Sequence, residues 1–216
     1  MLATILTIFI AYPLAYTIRF RVRKYKNLCL ILIMVSLMSS YLVRVYAWRI
    51  TLGISGILNS FLLFIHLIDA PLEILLYSPI AVLVTFVQIF IPYMFICIYS
   101  EMININPFLI EASKDLGGNS FITFWKITFP LSLKGVITGS ILIFFLTTGD
   151  YVTPALVGGV NGMMIGRVIK SQFGLVFNWP LGSAITFIML FFILVFVMFY
   201  SKLMNGIFLG KKYGKT

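Results

Sequence analysis

Glu111-Ala112-Ser113-Lys114-Asp115-Leu116-Gly117-Gly118-Asn119-Ser120-Phe121-Ile122-Thr123-Phe124-Trp125-Lys126-Ile127-Thr128-Phe129-Pro130 is a polar, glycine-punctuated stretch in a chain that is otherwise mostly apolar. Of the 216 residues, 61% are hydrophobic and 10% charged, and the mean hydropathy is +1.08. A water-soluble domain cannot hide that much apolar surface, so the composition predicts an all-α, polytopic helical membrane protein. Residues 111–130 then lie in water between spans. They are too ordered for a linker and too short for a domain, and they read as a docking surface for a soluble partner.

Outward from this stretch, five apolar runs are long enough to cross a bilayer, near 2–18, 28–48, 77–99, 133–150 and 181–201. A crossing needs ~20 helical residues at ~1.5 Å each. The first run lacks a small-residue cleavage site leading into a soluble domain, which argues against a removed signal peptide. Arg19, Arg21, Arg23, Lys24 and Lys26 crowd the loop after the first run. Lys114, Lys126 and Lys134 lie in or beside the 101–132 loop, and Lys202, Lys211, Lys212 and Lys215 lie in the tail. Only Arg44, Arg49, Arg167 and Lys170 fall on the other side. The positive-inside rule makes the richer side cytoplasmic, with Met1 outside and the C-terminus inside.

The net charge of +10 is thus a matter of topology. Nucleic-acid binding is excluded at the loop, where Glu101, Glu111 and Asp115 outnumber the bases of 101–132. Cys29 and Cys97 sit in apolar runs without metal or disulfide spacing, and His66 stands alone, so no metal site is expected. Two segments are too short to span. Residues 57–68 read as a helix along the outer interface, and 160–173 as a second short segment before Asn178, a capping residue, and Pro180. Asp69 and Glu73 fall on the outward side, as ordinary solvated acids or as contacts for a binding protein.

Within the loop, Asn106-Pro107 predicts a helix start and Gly117-Gly118 its end after Leu116; Asn119 caps the next helix. Phe121, Phe124, Trp125 and Thr128 then share one face, and Pro130 stops the helix before the next span. Phe108, Ala112 and Leu116 share a face of the first helix that can rest on the membrane bundle. Glu111, Lys114 and Asp115 form an exposed charged knob.

Glu111-Ala112, Gly117, Ile127 and Pro130 have the spacing Glu-Ala-x4-Gly-x9-Ile-x-x-Pro. This resembles the signature loop of binding-protein-dependent ABC importer permeases, with Ser113 for the family's second Ala and Phe129 for its Leu. Tyr12-Pro13-Leu14-Ala15-Tyr16, Arg44-Val45-Tyr46-Ala47-Trp48, Gly149-Asp150-Tyr151-Val152-Thr153-Pro154 and Asn178-Trp179-Pro180-Leu181-Gly182 are similar to the spermidine/putrescine group, specifically its first permease subunit. Relatives with similar sequences are associated with opines and phosphonates. The resemblance implies one permease domain over 1–216, a type I importer fold, and a 101–132 loop that couples to a separate ATPase. Glu111, Ala112, Ser113, Gly117, Phe124 and Pro130 are the coupling residues it implies.

The implied partners are ABC ATPase subunits, a second homologous permease and an extracytoplasmic substrate-binding protein, in a bacterial inner membrane. Since no Gly-x4-Gly-Lys-Ser/Thr loop is present, ATP and magnesium belong to the ATPase, and this chain carries no catalytic residue or cofactor of its own. The family's usual subunit has six spans, so the first is expected to be missing from this sequence.

Asp150 is the one acid at the edge of a span. It is read either as part of a cation pathway with Tyr151, Tyr46 and Trp48, or as a solvated helix end or partner of Arg44 or Arg49. Two other readings stay open: an ion-gradient-driven carrier, and a truncated, non-transporting scaffold. The first would need buried ionisable groups that these spans largely lack.

Overall fold

The computed structural model describes residues 1–22, 24–72 and 75–209. Arg23, Glu73, Lys211, Lys212 and Lys215, to which the sequence reading gave topological or docking roles, lie outside the described residues. The described elements are all helical: α1 (Leu2–Phe20), α2 (Lys26–Met38), α3 (Tyr41–Thr51), α4 (Ile57–Phe64), α5 (Pro79–Ile103), α6 (Pro107–Asp115), α7 (Ser120–Thr123), a π-helical segment (Phe124–Thr128), α8 (Phe129–Gly149), α9 (Val152–Val157), α10 (Ile165–Gly174) and α11 (Trp179–Leu209).

The core is α5 clasped between α1 and α8. Ile89, Met94, Phe95, Ile98 and Met102 of α5 are almost fully buried. Apolar residues surround this helix on every side, as expected for the central rod of a bundle. Ala11 and Ala15 of α1 and Gly135 and Gly139 of α8 supply the small contacts that let backbones approach. A Cβ at Gly135 would stand 2.2 Å from the Cys97 carbonyl oxygen, and one at Gly139 would stand 2.6 Å from the Met94 sulfur. The Gly-x-x-x-Gly spacing is visible in the sequence and was not read there.

Four of the five expected spans are single apolar helices, including a continuous rod from Ser120 to Gly149. The run at 28–48 is not one rod. It breaks into α2 and α3, which meet at 93°. Ser39 and Ser40 have extended backbones at the break, and the Ser39 hydroxyl donates back to the Val35 carbonyl, a bond that competes with the helix. The polar side of α3 supplies the other reason. Arg44 donates to the Ile89 carbonyl at 3.2 Å and Trp48 to the Gln88 side chain at 3.0 Å, so α3 turns to meet α5. Pro92 lies one turn further along α5 and leaves the Gln88 carbonyl, the neighbour of the one Arg44 reaches, without its helical N–H.

The two short segments hold shorter helices than 57–68 and 160–173: α4 ends at Phe64, before His66 at φ +53, and α10 begins only at Ile165. Asn59 of α4 is fully buried and pins the loop by bonding the Gly53 carbonyl and both backbone groups of Leu72. Asn178 accepts from the Leu181 N–H at 3.2 Å at the start of α11, with Pro180 in its first turn.

Replacing Gly135 with Val forces side-chain atoms into the α5 backbone. The expected loss is at least ~3 kcal/mol, at the upper end for overpacked cores. Thermal unfolding in detergent checks it against Gly174→Ala, where a Cβ meets nothing within 4 Å and stability should hold.

Candidate functional site

The loop between α5 and α8 folds into an elbow. Asn106 accepts from the Phe108 N–H at 3.0 Å, and Pro107 opens α6. At its other end the Gly118 N–H reaches the Ser113 carbonyl at 2.8 Å and the Gly117 N–H reaches that of Lys114 at 2.9 Å. This is the Schellman pattern, and it sets Gly117 at φ +79, where a Cβ is disfavoured by ~1 kcal/mol or more. Asn119 then caps α7 by accepting from Ile122 at 2.8 Å. The two arms are tied by a hydrogen bond of 2.9 Å between the hydroxyls of Ser113 and Thr123. Ser113 therefore helps to close the elbow.

Two expectations fail in the second arm. Pro130 does not stop the helix; α7, the π segment and α8 form one continuous rod. The Phe129 N–H bonds the Phe124 carbonyl five residues back, and the wider turn relieves the clash Pro130 would make with the carbonyl four residues before it. The predicted aromatic face does not stay together. Phe124 and Thr128 pack inward, whereas Phe121 is 70% exposed and Trp125 51%. Phe124 lies edge-on to Tyr12 at 5.8 Å and to Tyr16 at 5.4 Å, both on α1, and contacts Phe129. The Tyr12 hydroxyl also bonds Ser132 at 2.8 Å. From the same end of α1, Arg19 donates to the Met102 carbonyl at 3.1 Å.

The first arm is corrected too. Phe108, Ala112 and Leu116 do not rest on the bundle: all three are exposed, Leu116 to 89%. Ile110 packs inward in their place. Glu111, Lys114 and Asp115 are exposed as expected. The elbow thus presents Phe108, Leu116, Phe121 and Trp125 around its charges. Apolar clusters of this kind on a water-facing segment mark docking sites.

At the opposite end of the bundle, Asp150 is half-buried between α8 and α9. Its carboxylate accepts from the Tyr41 hydroxyl and from the Val152 N–H at 2.8 Å and the Thr153 N–H at 3.3 Å. Its partner is thus Tyr41, not Arg44 or Arg49, and it holds α3 to the start of α9. Tyr41 also bonds the Thr153 hydroxyl at 2.6 Å. α10 closes over this turn because Gly166 lacks a Cβ, which would sit 2.6 Å from the Asp150 carbonyl oxygen. The Lys170 ammonium lies 4.4 Å from the centre of the Tyr151 ring. Asp150 and Tyr151 are brought together. Trp48 is turned toward α5, and Tyr46 is half-exposed on another side of α3.

Tyr41, Gln88 and Lys170 were missed as members of this region. Only Tyr41 carried a signal, at the (i, i+3, i+7) spacing of Tyr41, Arg44 and Trp48. Arg44 is 8% exposed and its Nε has no hydrogen-bond partner.

Truncating Phe124 to Ala should cost about 3 kcal/mol, since the ring seats the elbow on α1. Trp125→Ala should cost under about 1 kcal/mol, because half that ring faces water. Unfolding curves of the two variants in detergent separate them; equal losses would contradict the inward role of Phe124.

Comparison with known proteins follows this geometry. Residues 3–207 match the family described as binding-protein-dependent transport system inner membrane component. The spermidine/putrescine transport system permease protein PotB of Haemophilus influenzae is 35% identical over 207 residues, covering 94% of this chain and 72% of that protein. PotB of Escherichia coli is 35% identical over 184 residues, 85% of this chain and 66% of that one. The inner membrane ABC transporter permease protein YdcU of Escherichia coli is 32% identical over 213 residues, 93% of this chain and 67% of that one. This chain therefore spans about two thirds to seven tenths of these relatives.

Among solved structures, a bacterial ABC transporter importing the acidic polysaccharide alginate matches with TM-score 0.71 at 16% identity, over 95% of this chain and 72% of that one. A bacterial alginate ABC transporter in complex with its pentasaccharide-bound periplasmic protein matches with TM-score 0.75 at 17% identity, over 95% and 75%. The fold is that of an ABC importer permease, and the chain belongs to the binding-protein-dependent transport system inner membrane component family.

Proposed function

We propose that this chain is a permease subunit of an ABC importer that carries polyamines, spermidine and putrescine, into the cytoplasm. The substrate class is supported by similarity to the two spermidine/putrescine permease proteins over most of this chain. A separate ATPase holds ATP and magnesium, a second permease completes the pathway, and an extracytoplasmic binding protein delivers the solute. The charge distribution supports a cytoplasmic elbow, with Met1 outside and the C-terminus inside.

One observation carries the coupling role. The elbow exposes Phe108, Leu116, Phe121 and Trp125 beside Glu111, while Phe124 on the same element is wedged against α1. A groove on the ATPase that buries the exposed rings gains roughly 25 cal/mol per Å² of apolar surface removed from water. Motion of that groove then reaches α1 through Phe124 and α8 through the continuous rod. Glu111 and Ala112 form the exposed contact, Gly117 and Ser113 hold the angle, and Phe124 and Pro130 pass the push onward.

At the outer end, Asp150 and Tyr151 form the edge of the cation path, with Tyr46 and Trp48 further along α3. The Lys170 ammonium, 4.4 Å from the centre of the Tyr151 ring, is a cation–π contact of the kind this reading assigns to the substrate, which would take its place.

Gly117→Asp tests coupling. Asp enters positive φ more readily than most residues, and no atom lies within 4 Å of its Cβ, so insertion should persist. ATP-dependent putrescine uptake should fall at least about ten-fold, equivalent to ~1.4 kcal/mol or more of coupling. Wild-type uptake would dismiss the elbow as the coupling element.

Asp150→Asn keeps the cap and removes the charge. A KM for putrescine raised about ten-fold, ~1.4 kcal/mol, with unchanged kcat is expected. Unchanged kinetics would take Asp150 out of the path. Uptake that persists with the ATPase inhibited, and collapses with the ion gradient, would favour a secondary carrier instead.

A further inference from the structure

We propose that the cavity between the end of α1, the start of α2 and α6 binds the phosphodiester of an anionic phospholipid headgroup. Its volume is about 450 Å³, and Arg19, Lys26, Lys114, Glu111, Phe20 and Ile110 contribute to its walls. Three cations from three different elements thus face one carboxylate. Among the described residues no salt bridge joins Glu111 to any of them.

Two of the cations are held in place. Arg19 is anchored by its bond to the Met102 carbonyl and lies over the Phe20 ring at 5.4 Å, with guanidinium donors to spare. Lys26 lies over the Tyr99 ring at 5.9 Å. Arg19 and Lys26 are both half-buried, so their positions do not depend on free surface chains.

The surroundings fit a lipid. Leu14 of α1, and Leu28, Ile31 and Leu32 in the turns of α2 that follow Lys26, are exposed apolar side chains on two of the helices that wall the cavity, and suit acyl chains. Basic pockets between helices at a membrane's edge accept anionic headgroups in this way. With three cations against one carboxylate the lining is net positive and attracts a phosphodiester or a free phosphate alike, so the choice of a lipid over a soluble anion rests on the exposed apolar side chains of α1 and α2. A bound headgroup would bridge α1 and α2 to α6 and restrain the elbow. The cytoplasmic placement of this cavity rests on the functional reading above. Binding itself does not, because a reconstituted bilayer offers anionic lipid in both leaflets.

The test is electron paramagnetic resonance on the full chain in phosphatidylcholine bilayers, with trace spin-labelled phosphatidylglycerol or spin-labelled phosphatidylcholine. The fraction of label immobilised by protein should favour phosphatidylglycerol by about five-fold. K26E/K114E should abolish that preference and the milder K26Q/K114Q should weaken it, whereas R21E/K24E, an equal charge change on exposed residues outside the cavity, should keep it. Equal loss in both Glu pairs, or retention in K26E/K114E, would overturn the site. Displacement of labelled phosphatidylglycerol by millimolar inorganic phosphate would assign the cavity to a soluble anion and overturn the lipid. An intact lipid preference together with wild-type uptake by Gly117→Asp in the assembled transporter would count against the functional reading alone.

Discussion

The wedge of Phe124 between Tyr12 and Tyr16 is the contact on which the functional arrangement depends. An elbow that merely hung from flexible connections could dock on a partner but could not move the bundle. Aromatic edge-to-face pairs contribute ~0.5–1.5 kcal/mol each beyond burial, and here two of them converge on one ring. The Tyr12–Ser132 bond and the reach of Arg19 to the end of α5 tie the same region of α1 to the two helices it packs against. Force applied to the elbow therefore meets α1, α5 and α8 together.

The π segment carries the rod past Pro130. A regular helix through 120–135 would put Pro130 in conflict with the preceding turn. The wider turn removes the conflict. Phe124 lies against the bundle, while Phe121 and Trp125 face water. One irregularity thus preserves a continuous rod, which carries an inner and an outer aromatic surface. π turns often occur at functional positions, and this one joins the elbow to a span.

The sequence was legible at most places where local chemistry decides the structure, Pro130 being the exception because a π turn absorbs it. Long apolar runs gave four spans, because hydrocarbon demands satisfied backbones over a fixed length. Asn106-Pro107, Gly117-Gly118 and Asn119 placed the elbow's ends correctly because each acts through its own backbone neighbours. The break at Ser39-Ser40 was only half legible: the Ser39 hydroxyl competes locally for the Val35 carbonyl, but the contacts that turn α3 aside, to Ile89, Gln88 and Asp150, lie far away in sequence. The faces of the elbow were misread for a related reason. Apolar stripes were assigned to the bundle, yet Phe108 and Leu116 face away from it, where a partner is proposed to sit. The environment of Asp150 was missed likewise, because Tyr41 lies 109 positions distant.

The central claim is that the elbow's outer face is buried by an ATPase whose nucleotide state moves it. The most direct measurement places a cysteine at Leu116, in a variant lacking Cys29 and Cys97, and follows its disulfide crosslinking to single cysteines in the ATPase groove. The account predicts a crosslink whose yield changes between nucleotide-free and ATP-bound states, with the cysteine protected from membrane-impermeant thiol reagent added outside. Labelling from the outer compartment, or no crosslink in any nucleotide state, would contradict it.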